Sequence, residues 1–189
     1  MRIITGIARG IKLETLEGLD TRPTGERVKE SVFSMLQFEL ENRKVLDLFA
    51  GSGQLGLEAL SRGALSCTFV EKSLDAMEIV KKNARKTKLI DKCKIVNMDY
   101  KDFLRGLRGK EKYDIVFLDP PYSQKIIPEI LECLVKNDML NYNAKVICES
   151  EDDVEYSCIG LKNVKRNKYG RVYITVLCKN VSDEGEECV

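Results

Sequence analysis

Short apolar segments that alternate with amphipathic segments constrain the fold of this sequence more than any other feature. The apolar segments predict six β-strands, at residues 45–49, 67–71, 94–97, 115–118, 145–149 and 172–177. The segments between them predict helices at residues 56–62, 73–87 and 126–136. Strands that alternate with helices are typical of βαβ units, in which helices cover both faces of a parallel sheet. The sequence therefore predicts an α/β fold around a mostly parallel sheet.

The first forty residues come before this alternation, and they predict an extension that packs on the core. Residues 2–16 alternate weakly between apolar and polar side chains, which predicts a small β-hairpin, and residues 25–40 predict an amphipathic helix. A chain of 189 residues suits a single domain. We therefore expect an N-terminal extension at residues 1–40, a core domain at residues 41–180 and an acidic, flexible tail at residues 181–189.

The sequence contains no histidine, which excludes several kinds of catalysis. Ser-His-Asp and Cys-His sites cannot form, and neither can most catalytic zinc sites. The seven cysteines show no C-x-x-C spacing, and several lie in apolar segments. We interpret them as core residues in a reducing compartment, and not as metal ligands or disulfides. Carboxylates, backbone groups, lysine, tyrosine or a cofactor must therefore carry any reaction.

The net charge of +1 argues weakly against a nucleic-acid partner, but the positive charge is clustered. Residues 81–94 hold seven basic side chains and one acidic one, and residues 162–171 hold five basic side chains and no acidic one. The first cluster is either the solvated face of a helix or an RNA contact, and the second is the better RNA candidate. No apolar segment approaches the roughly 20 residues that span a bilayer, and no signal peptide is recognisable. We expect a cytoplasmic protein without membrane contact.

A glycine-rich loop after the first predicted strand is the first candidate ligand site. Gly51, Gly53 and Gly56 follow Asp47 in the sequence DLFAGSGQLG. Glycines permit a tight turn and let a ligand approach the main chain, although a strand-to-helix turn without a ligand has the same pattern. Asp47 would repel the pyrophosphate of a dinucleotide, which such loops usually bind, but would attract the cationic S-adenosylmethionine. The loop therefore favours S-adenosylmethionine, and an NAD-dependent oxidoreductase is a distant alternative.

Two further acidic residues follow the next two predicted strands. Glu71 could accept hydrogen bonds from both hydroxyls of a ribose, and Asp99 could accept one from an adenine amino group. Each is weak evidence alone, because charged residues are common at strand ends. The carboxyl ends of parallel strands meet at one edge of a sheet, where α/β proteins bind ligands. Together with Asp47, these residues predict a cofactor site at that edge.

The most specific motif is Asp119-Pro120-Pro121-Tyr122, directly after the strand predicted at 115–118. The prolines restrict the loop, so the carboxylate of Asp119 and the carbonyl of Pro120 can point at one spot. Two fixed acceptors suit an amino group with two donors, and they stabilise the positive charge that develops on a nitrogen during methylation. Tyr122 could stack on a flipped base. The motif predicts an N-methyltransferase, and a rigid turn with an exposed tyrosine is the alternative.

The pattern D-x-x-x-G-x-G followed by D-P-P-Y resembles class I amino-methyltransferases, which act on adenine N6, cytosine N4, guanine N2 or glutamine amides. The chain as a whole resembles the RsmD family of 16S ribosomal RNA guanine-N2 methyltransferases, over roughly residues 1–178. Its start, MRIITG with Arg9-Gly10, resembles the family's basic hairpin. The segment TRPT before RVKESVF resembles the helix entrance, and Lys168-Tyr169-Gly170 resembles the last hairpin. The resemblance implies a Rossmann-like sheet of seven mostly parallel strands, with an antiparallel last strand.

The resemblance also implies roles for individual residues. The S-adenosylmethionine site would comprise Asp47, Phe49, Gly51, Gly53, Glu71, Lys72, Asp99 and Tyr100, and the catalytic loop Asp119, Pro120, Pro121 and Tyr122. Contacts to RNA would come from Arg2, Arg9, Arg22, Pro23, Thr24 and Lys168. The implied partner is ribosomal RNA or the small ribosomal subunit, bound by a monomer without a metal ion. Gln54 departs from the family pattern, since a small or β-branched residue is more usual there.

Three alternatives remain for the function. The motif also permits methylation of adenine N6 in nucleic acid or of a glutamine amide in a protein. The 189 residues show no added target-recognition domain, which disfavours sequence-specific modification of DNA. A non-catalytic RNA-binding or ribosome-assembly protein would bind RNA without the cofactor, and the intact D-P-P-Y motif argues against it.

Overall fold

The computed structural model describes residues 1–15, 23–107, 109–121 and 125–179, with residues 23 and 24 as backbone alone. Its seven strands are β1 (Lys44–Asp47), β2 (Ser66–Glu71), β3 (Cys93–Asn97), β4 (Tyr113–Leu118), β5 (Leu140–Ser150), β6 (Leu161–Tyr169) and β7 (Val172–Lys179). Its five α-helices are α1 (Pro23–Met35), α2 (Gln54–Ser61), α3 (Leu74–Lys86), α4 (Tyr100–Leu107) and α5 (Ile127–Lys136). Arg22, Tyr122 and the predicted tail lie outside the described residues, as do the side chains of Pro23 and Thr24.

The strands form one sheet in the order β3-β2-β1-β4-β5-β7-β6. Strand β7 is antiparallel to both of its neighbours, and the other six strands are parallel to one another. This confirms the predicted α/β fold with an antiparallel last strand. From β1 the chain first builds outward to β3 and then returns to place β4 on the other side of β1. Such a reversal leaves a crevice at the carboxyl ends of the two central strands.

Two apolar layers cover the two faces of the sheet. On one face, Val45 and Phe117 pack with helices α1, α2 and α3 in a layer that includes Phe33, Leu57 and Val80. On the other face, Leu46 and Val116 pack with helices α4 and α5. Adjacent strand residues therefore enter opposite layers, as expected for strands buried on both faces. This explains why the central strands are continuously apolar in the sequence.

The N-terminal extension is anchored to α2 by a buried network of charges. The carboxylate of Glu58 accepts hydrogen bonds from the backbone N–H groups of Ile4, at 2.8 Å, and Thr5, at 3.0 Å. It also pairs with Lys29 of α1, at 3.0 Å, and both side chains are almost completely buried. Arg62 donates to the same carboxylate at 2.8 Å. Because buried charges are stable only when they are paired and hydrogen-bonded, this network specifies where the extension docks.

Several predicted elements have different bounds in the structure. The predicted hairpin at residues 2–16 contains one bridge, between Arg2 and Lys12. The helix predicted at 25–40 ends at Met35, and a turn follows in which Phe38 is 91% exposed. Helix α4 and strand β6 were not among the predicted elements. Strand β6 lies at the edge of the sheet and buries only Leu161, so it has no clear apolar pattern. Helix α4 does have one, because Tyr100, Phe103, Leu104 and Leu107 have helical spacing, and the prediction missed it. None of the helices in the described part of the chain is long and apolar enough to cross a membrane.

Candidate active site

A cavity of about 1800 Å³ opens at the carboxyl ends of β1, β2, β4 and β5. The predicted site residues that line it are Asp47, Phe49, Gly51, Glu71, Lys72, Asp99, Tyr100, Asp119, Pro120 and Pro121. The extension and the turn between β6 and β7 close its far side through Met1, Gly25, Val28, Gly170 and Arg171. The structure therefore brings together ten of the predicted residues, although they come from four separate segments of the sequence.

Asp47 ends β1 at the bottom of the cavity and is only 2% exposed. The backbone N–H of Gly56 donates to its carboxylate at 3.1 Å, which fixes the carboxylate against the first turn of α2. Burial raises the pKa of Asp47 to about 7, and the nearby charge of Glu71 adds to the increase. A cation bound in the cavity would relieve both effects, because it would stabilise the ionised carboxylate.

The glycines of the loop differ in what they face. Gly51 has a φ of 53°, and a Cβ atom at this position would meet no atom within 4 Å, so its main chain is open to the cavity. Gly53 was expected to contact the cofactor, but it does not line the cavity. A Cβ atom on Gly53 would lie 3.2 Å from the side chain of Val80, in the core. Gly51 is therefore placed to meet a ligand, whereas Gly53 allows the loop to pack closely on α3.

Glu71 connects the second strand to the glycine loop. One carboxylate oxygen accepts a hydrogen bond from the backbone N–H of Gly51 at 3.0 Å, and the other accepts one from Ser73 at 2.8 Å. The loop and the start of α3 thus hold the carboxylate in one orientation at the cavity. Lys72 is exposed beside it, at the rim. Each carboxylate oxygen has further lone pairs that can accept ligand hydroxyls.

Asp99 lies at the start of α4 and caps this helix. Its side chain accepts a hydrogen bond from the backbone N–H of Lys101 at 2.9 Å, which is the usual role of an aspartate at this position. The rings of Phe49 and Tyr100 lie beside it, with centroids 5.3 Å apart and planes tilted by 49°. These residues give the cavity a region with an apolar wall and an acidic rim.

The Asp119 loop leaves β4 at the opposite wall of the cavity. Asp119 is half-buried, Pro120 is buried and Pro121 is exposed. Burial holds the pKa of Asp119 well above its usual range, and the negative charges of Glu149 and Asp47 raise it further. Tyr122 belongs to the predicted motif but lies outside the described residues.

The predicted RNA-binding residues are separate from the cavity lining. Arg2 and Arg9 are exposed on the extension, and Arg2 lies 4.0 Å from Glu26. Lys168 is exposed on β6, with its ammonium group 5.0 Å from the centre of the Tyr173 ring. Among the remaining predicted contacts, Arg22 and the side chains of Pro23 and Thr24 lie outside the described residues.

Several residues of the cavity were not predicted from the sequence, and two of them bear on the chemistry of the site. Gln54, in the first turn of α2, lines the cavity, and its buried side-chain oxygen has no hydrogen-bond partner among the described residues. Glu149 lines the opposite wall, near the carboxyl end of β5. The strand-end rule that identified Glu71 could also have identified Glu149, because the predicted fifth strand ends at that residue.

The residues of the cavity fit S-adenosylmethionine. Asp47 and Glu71 provide negative charge at the glycine loop, which suits a cationic ligand and not a pyrophosphate. The orphaned oxygen of Gln54 provides an acceptor for a ligand ammonium or hydroxyl, and the open main chain at Gly51 leaves room for the ligand. Among the described residues, no group of three or more Cys, Asp or Glu side chains could hold a metal ion.

Comparison with known proteins agrees with this geometry. A protein family described as "Conserved hypothetical protein 95" matches residues 1–178. Ribosomal RNA small subunit methyltransferase D of Haemophilus influenzae is 39% identical over 81% of this chain and 80% of its own length. The Escherichia coli protein of the same name is 37% identical over 80% of this chain and 75% of its own. A solved structure described as a methyltransferase from Escherichia coli superposes with a TM-score of 0.85, at 33% identity, over 96% of this chain and 99% of that one.

The sheet order, the glycine loop and the cavity at the carboxyl ends of the strands define a class I methyltransferase that uses S-adenosylmethionine. The family match covers nearly the whole of the described core and extension. The chain belongs to this family, the RsmD family of methyltransferases.

Proposed function

We propose that the protein methylates the exocyclic N2 of a guanine in small-subunit, 16S ribosomal RNA, with S-adenosylmethionine as the methyl donor. The main support is that the Asp119-Pro120-Pro121 loop lines the same cavity as Asp47 and Glu71. In this proposal, an acceptor pair for an amino group would lie beside the cofactor site. The relatives of highest listed similarity are named for the small-subunit ribosomal RNA. The protein would act as a monomer in the cytoplasm, where this RNA is assembled.

The proposed cofactor contacts follow from the walls of the cavity. Asp47 would accept a hydrogen bond from the ammonium group of the methionine part, and the main chain of Gly51 would lie against that part. Glu71 would accept hydrogen bonds from the ribose hydroxyls. Asp99 would accept one from the adenine amino group while it caps α4. The rings of Phe49 and Tyr100 would contact the adenine, with Lys72 at the rim. When bound, S-adenosylmethionine supplies a methyl group on a positively charged sulfur.

The Asp119 loop would activate the target amine. The lone pair of an exocyclic amine is delocalised into the base, which makes the nitrogen a poor nucleophile. Asp119 and the carbonyl of Pro120 would accept its two hydrogens, which favours a pyramidal nitrogen and stabilises the positive charge that develops on it. Asp119 would then take up the released proton. The high pKa of Asp119 assists this step, because a more basic carboxylate is a better proton acceptor.

The RNA would approach over the extension and the edge of the sheet. Arg2 and Arg9 on the extension and Lys168 on β6 are exposed, and phosphate contacts need exposed cations of this kind. Arg22, Pro23 and Thr24 belong to this proposed surface by their positions in the sequence. In this proposal, residues 1–40 form an RNA-facing extension of the core at 41–180.

The test is methyl transfer from labelled S-adenosylmethionine to unmodified small ribosomal subunits and to free ribosomal RNA, followed by nucleoside mass analysis. We expect label in N2-methylguanosine, and a loss of at least about a hundredfold in rate with Asp119→Asn, by analogy with the removal of other catalytic charge-stabilising groups. Asp114→Asn is a matched control, since Asp114 lies on the same strand but pairs with Arg43 and Asn141 away from the cavity.

Each other outcome would contradict a defined part of the proposal. Label in N6-methyladenosine would identify a different base as the target. Cofactor binding without label in any RNA would redirect the search to protein glutamines, and RNA binding without cofactor binding would favour a non-catalytic assembly protein. An Asp119→Asn variant that methylates at the full rate would show that another group activates the amine.

A further inference from the structure

Glu149 lies beside the catalytic loop at the carboxyl ends of two paired strands. In the parallel pair of β4 and β5, Leu118 is opposite Cys148. The next residues, Asp119 and Glu149, therefore leave neighbouring strands at the same end, where the strands are about 4.8 Å apart. Both residues line the same cavity. Glu149 is therefore a second carboxylate that a substrate bound at the Asp119 loop could contact.

Glu149 is held by the sheet. It belongs to β5, which lies between β4 and β7, and it pairs with Ile174 on the β7 side. The residue is half-buried. Burial raises the pKa of Asp119, and the negative charge of Glu149 raises it further, as expected for neighbouring carboxylates. A side chain on a paired strand keeps its geometry better than one on a loop.

The atom next to an exocyclic amine distinguishes the candidate substrates. In guanine, the ring nitrogen N1 next to the 2-amino group carries a hydrogen and is a donor. In adenine and cytosine, the ring nitrogen next to the amine is an acceptor, and in a glutamine amide the neighbouring atom is an acceptor oxygen. A flipped base is recognised through this edge. An acceptor beside the amine-binding loop can therefore form a hydrogen bond with guanine, but it faces another acceptor in adenine, cytosine or a glutamine amide.

We propose that Glu149 accepts the N1–H of the target guanine, while Asp119 and the carbonyl of Pro120 accept the hydrogens of its 2-amino group. This inference rests on the proposed function, and it assigns to Glu149 the selection of guanine over other amines. A carboxylate offers several acceptor positions, and this role needs only one of them. Adenine in the same orientation would bring its unprotonated N1 against the carboxylate, with repulsion in place of a hydrogen bond.

The experiment replaces the guanine that wild-type protein methylates with 2-aminopurine, in ribosomal RNA ligated from synthetic and transcribed pieces. This base keeps the 2-amino group but has an unprotonated N1. We expect wild-type protein to prefer guanine by at least about tenfold in kcat/KM, since the lost hydrogen bond involves a charged group. Glu149→Gln should lower kcat/KM for guanine. It should also reduce the ratio of kcat/KM for guanine to that for 2-aminopurine at least about tenfold, because a carboxamide can donate a hydrogen bond to the unprotonated N1 of 2-aminopurine.

Two further variants separate recognition from structure. Glu151→Gln is the matched control, because Glu151 also lines the cavity but is exposed and follows the end of β5. This variant should prefer guanine over 2-aminopurine as strongly as wild-type protein does. Glu149→Asp keeps the charge, and it should retain the preference for guanine even if its rate falls. Calorimetry should show cofactor affinity within about twofold of wild type in all three variants, which a collapsed cavity would not allow.

The outcomes distinguish this inference from the proposed function. A guanine preference that is the same in wild type and Glu149→Gln, with cofactor affinity intact, would overturn the role of Glu149 and leave the proposed function standing. Loss of cofactor binding in both Glu149 variants would assign the residue to the cofactor site, and would also overturn it. If wild-type protein methylates no guanine in any RNA, the proposed function fails and the inference fails with it.

Discussion

The buried side chain of Asn83 joins the glycine loop to the N-terminal extension. Its amide nitrogen donates hydrogen bonds of 2.9 Å to the carbonyls of both Ser52 and Glu14, and its oxygen accepts one of 2.8 Å from the N–H of Glu14. Asn83 is completely buried, on α3. The loop proposed to hold the cofactor and the segment proposed to face RNA are therefore held by one amide.

We expect Asn83→Asp to weaken cofactor binding and to lower stability. Aspartate keeps the acceptor for Glu14 but loses both donated hydrogen bonds and places a negative charge against two carbonyl oxygens. Such a buried defect costs about 1–3 kcal/mol, or roughly ten- to a hundredfold in affinity where the loop must be ordered for binding. Calorimetry with S-adenosylmethionine and thermal unfolding measure the two effects.

Asn141→Asp is the control for Asn83. Asn141 donates to Asp114 at the other end of the sheet, so its replacement should affect stability without affecting cofactor affinity. If both variants bind the cofactor as wild type does, Asn83 has a role in folding alone and does not order the loop.

Gly6→Ala should detach the N-terminal extension from α2. A Cβ atom on Gly6 would overlap the backbone of Ser61, and Ser61 makes three hydrogen bonds to the extension, with Thr5, Ile7 and Ala8. Gly10→Ala is a close control, because Gly10 has a similar φ of 83° but its Cβ atom would meet no atom within 4 Å.

Urea unfolding would compare these two glycine variants. We expect Gly10→Ala to cost about 1 kcal/mol from the left-handed backbone alone, and Gly6→Ala to cost at least about 2 kcal/mol more. Equal losses in the two variants would mean that the extension moves away from Ser61 without cost.

Asp47 should give stability and cofactor affinity opposite pH dependences. Because its pKa is about 7 in the folded protein and near 4 in the unfolded chain, the folded state binds its proton more tightly. The protonated Asp47 therefore contributes at most about 4 kcal/mol to the free energy of unfolding. This contribution is fully present below pH 4 and is lost as the pH rises through about 7. Cofactor affinity should instead increase over the same range, because the ionised carboxylate attracts the ammonium.

Thermal unfolding and calorimetry between pH 5 and 8 would test this, with Asp47→Asn expected to flatten both dependences. Asp119 also has a raised pKa and lies close to Asp47, so Asp119→Asn must be measured in parallel. If the slopes survive in Asp47→Asn and vanish in Asp119→Asn, the titrating group is Asp119.

Gln54→Leu should stabilise the protein without ligand but weaken its binding of the cofactor. In the described part of the chain, the buried side-chain oxygen of Gln54 has no partner, which costs about 1 kcal/mol or more, and leucine removes that cost. The same change removes an acceptor from the cavity, so the Kd for S-adenosylmethionine should rise about tenfold. Gln54→Glu keeps an acceptor and should bind at least as well as wild type. Unchanged affinity in Gln54→Leu would show that the cofactor does not reach this oxygen.

The elements that could be predicted from the sequence are those with a strong local pattern. The central strands are apolar on both faces, and α3 begins at a serine whose side chain accepts a hydrogen bond from Ala76, so both kinds of element have local signals. Helix α4 also has a local signal, the helical spacing of its apolar residues, whereas strand β6 has few buried side chains and depends on its neighbours. The existence of β6 is decided by sheet pairing, which the local sequence does not contain.

The sequence by itself determined the chemistry that is available at the site: no histidine, acids after the strands, a glycine loop and the Asp119-Pro120 acceptor pair. Tertiary structure decided which of these groups meet. It placed Glu149 beside Asp119 through the register of β4 and β5, and it turned Gly53 toward the core. It also raised the pKa of Asp47 by burial. Register, burial and long-range contacts depend on residues far apart in the chain, and a local pattern therefore cannot specify them.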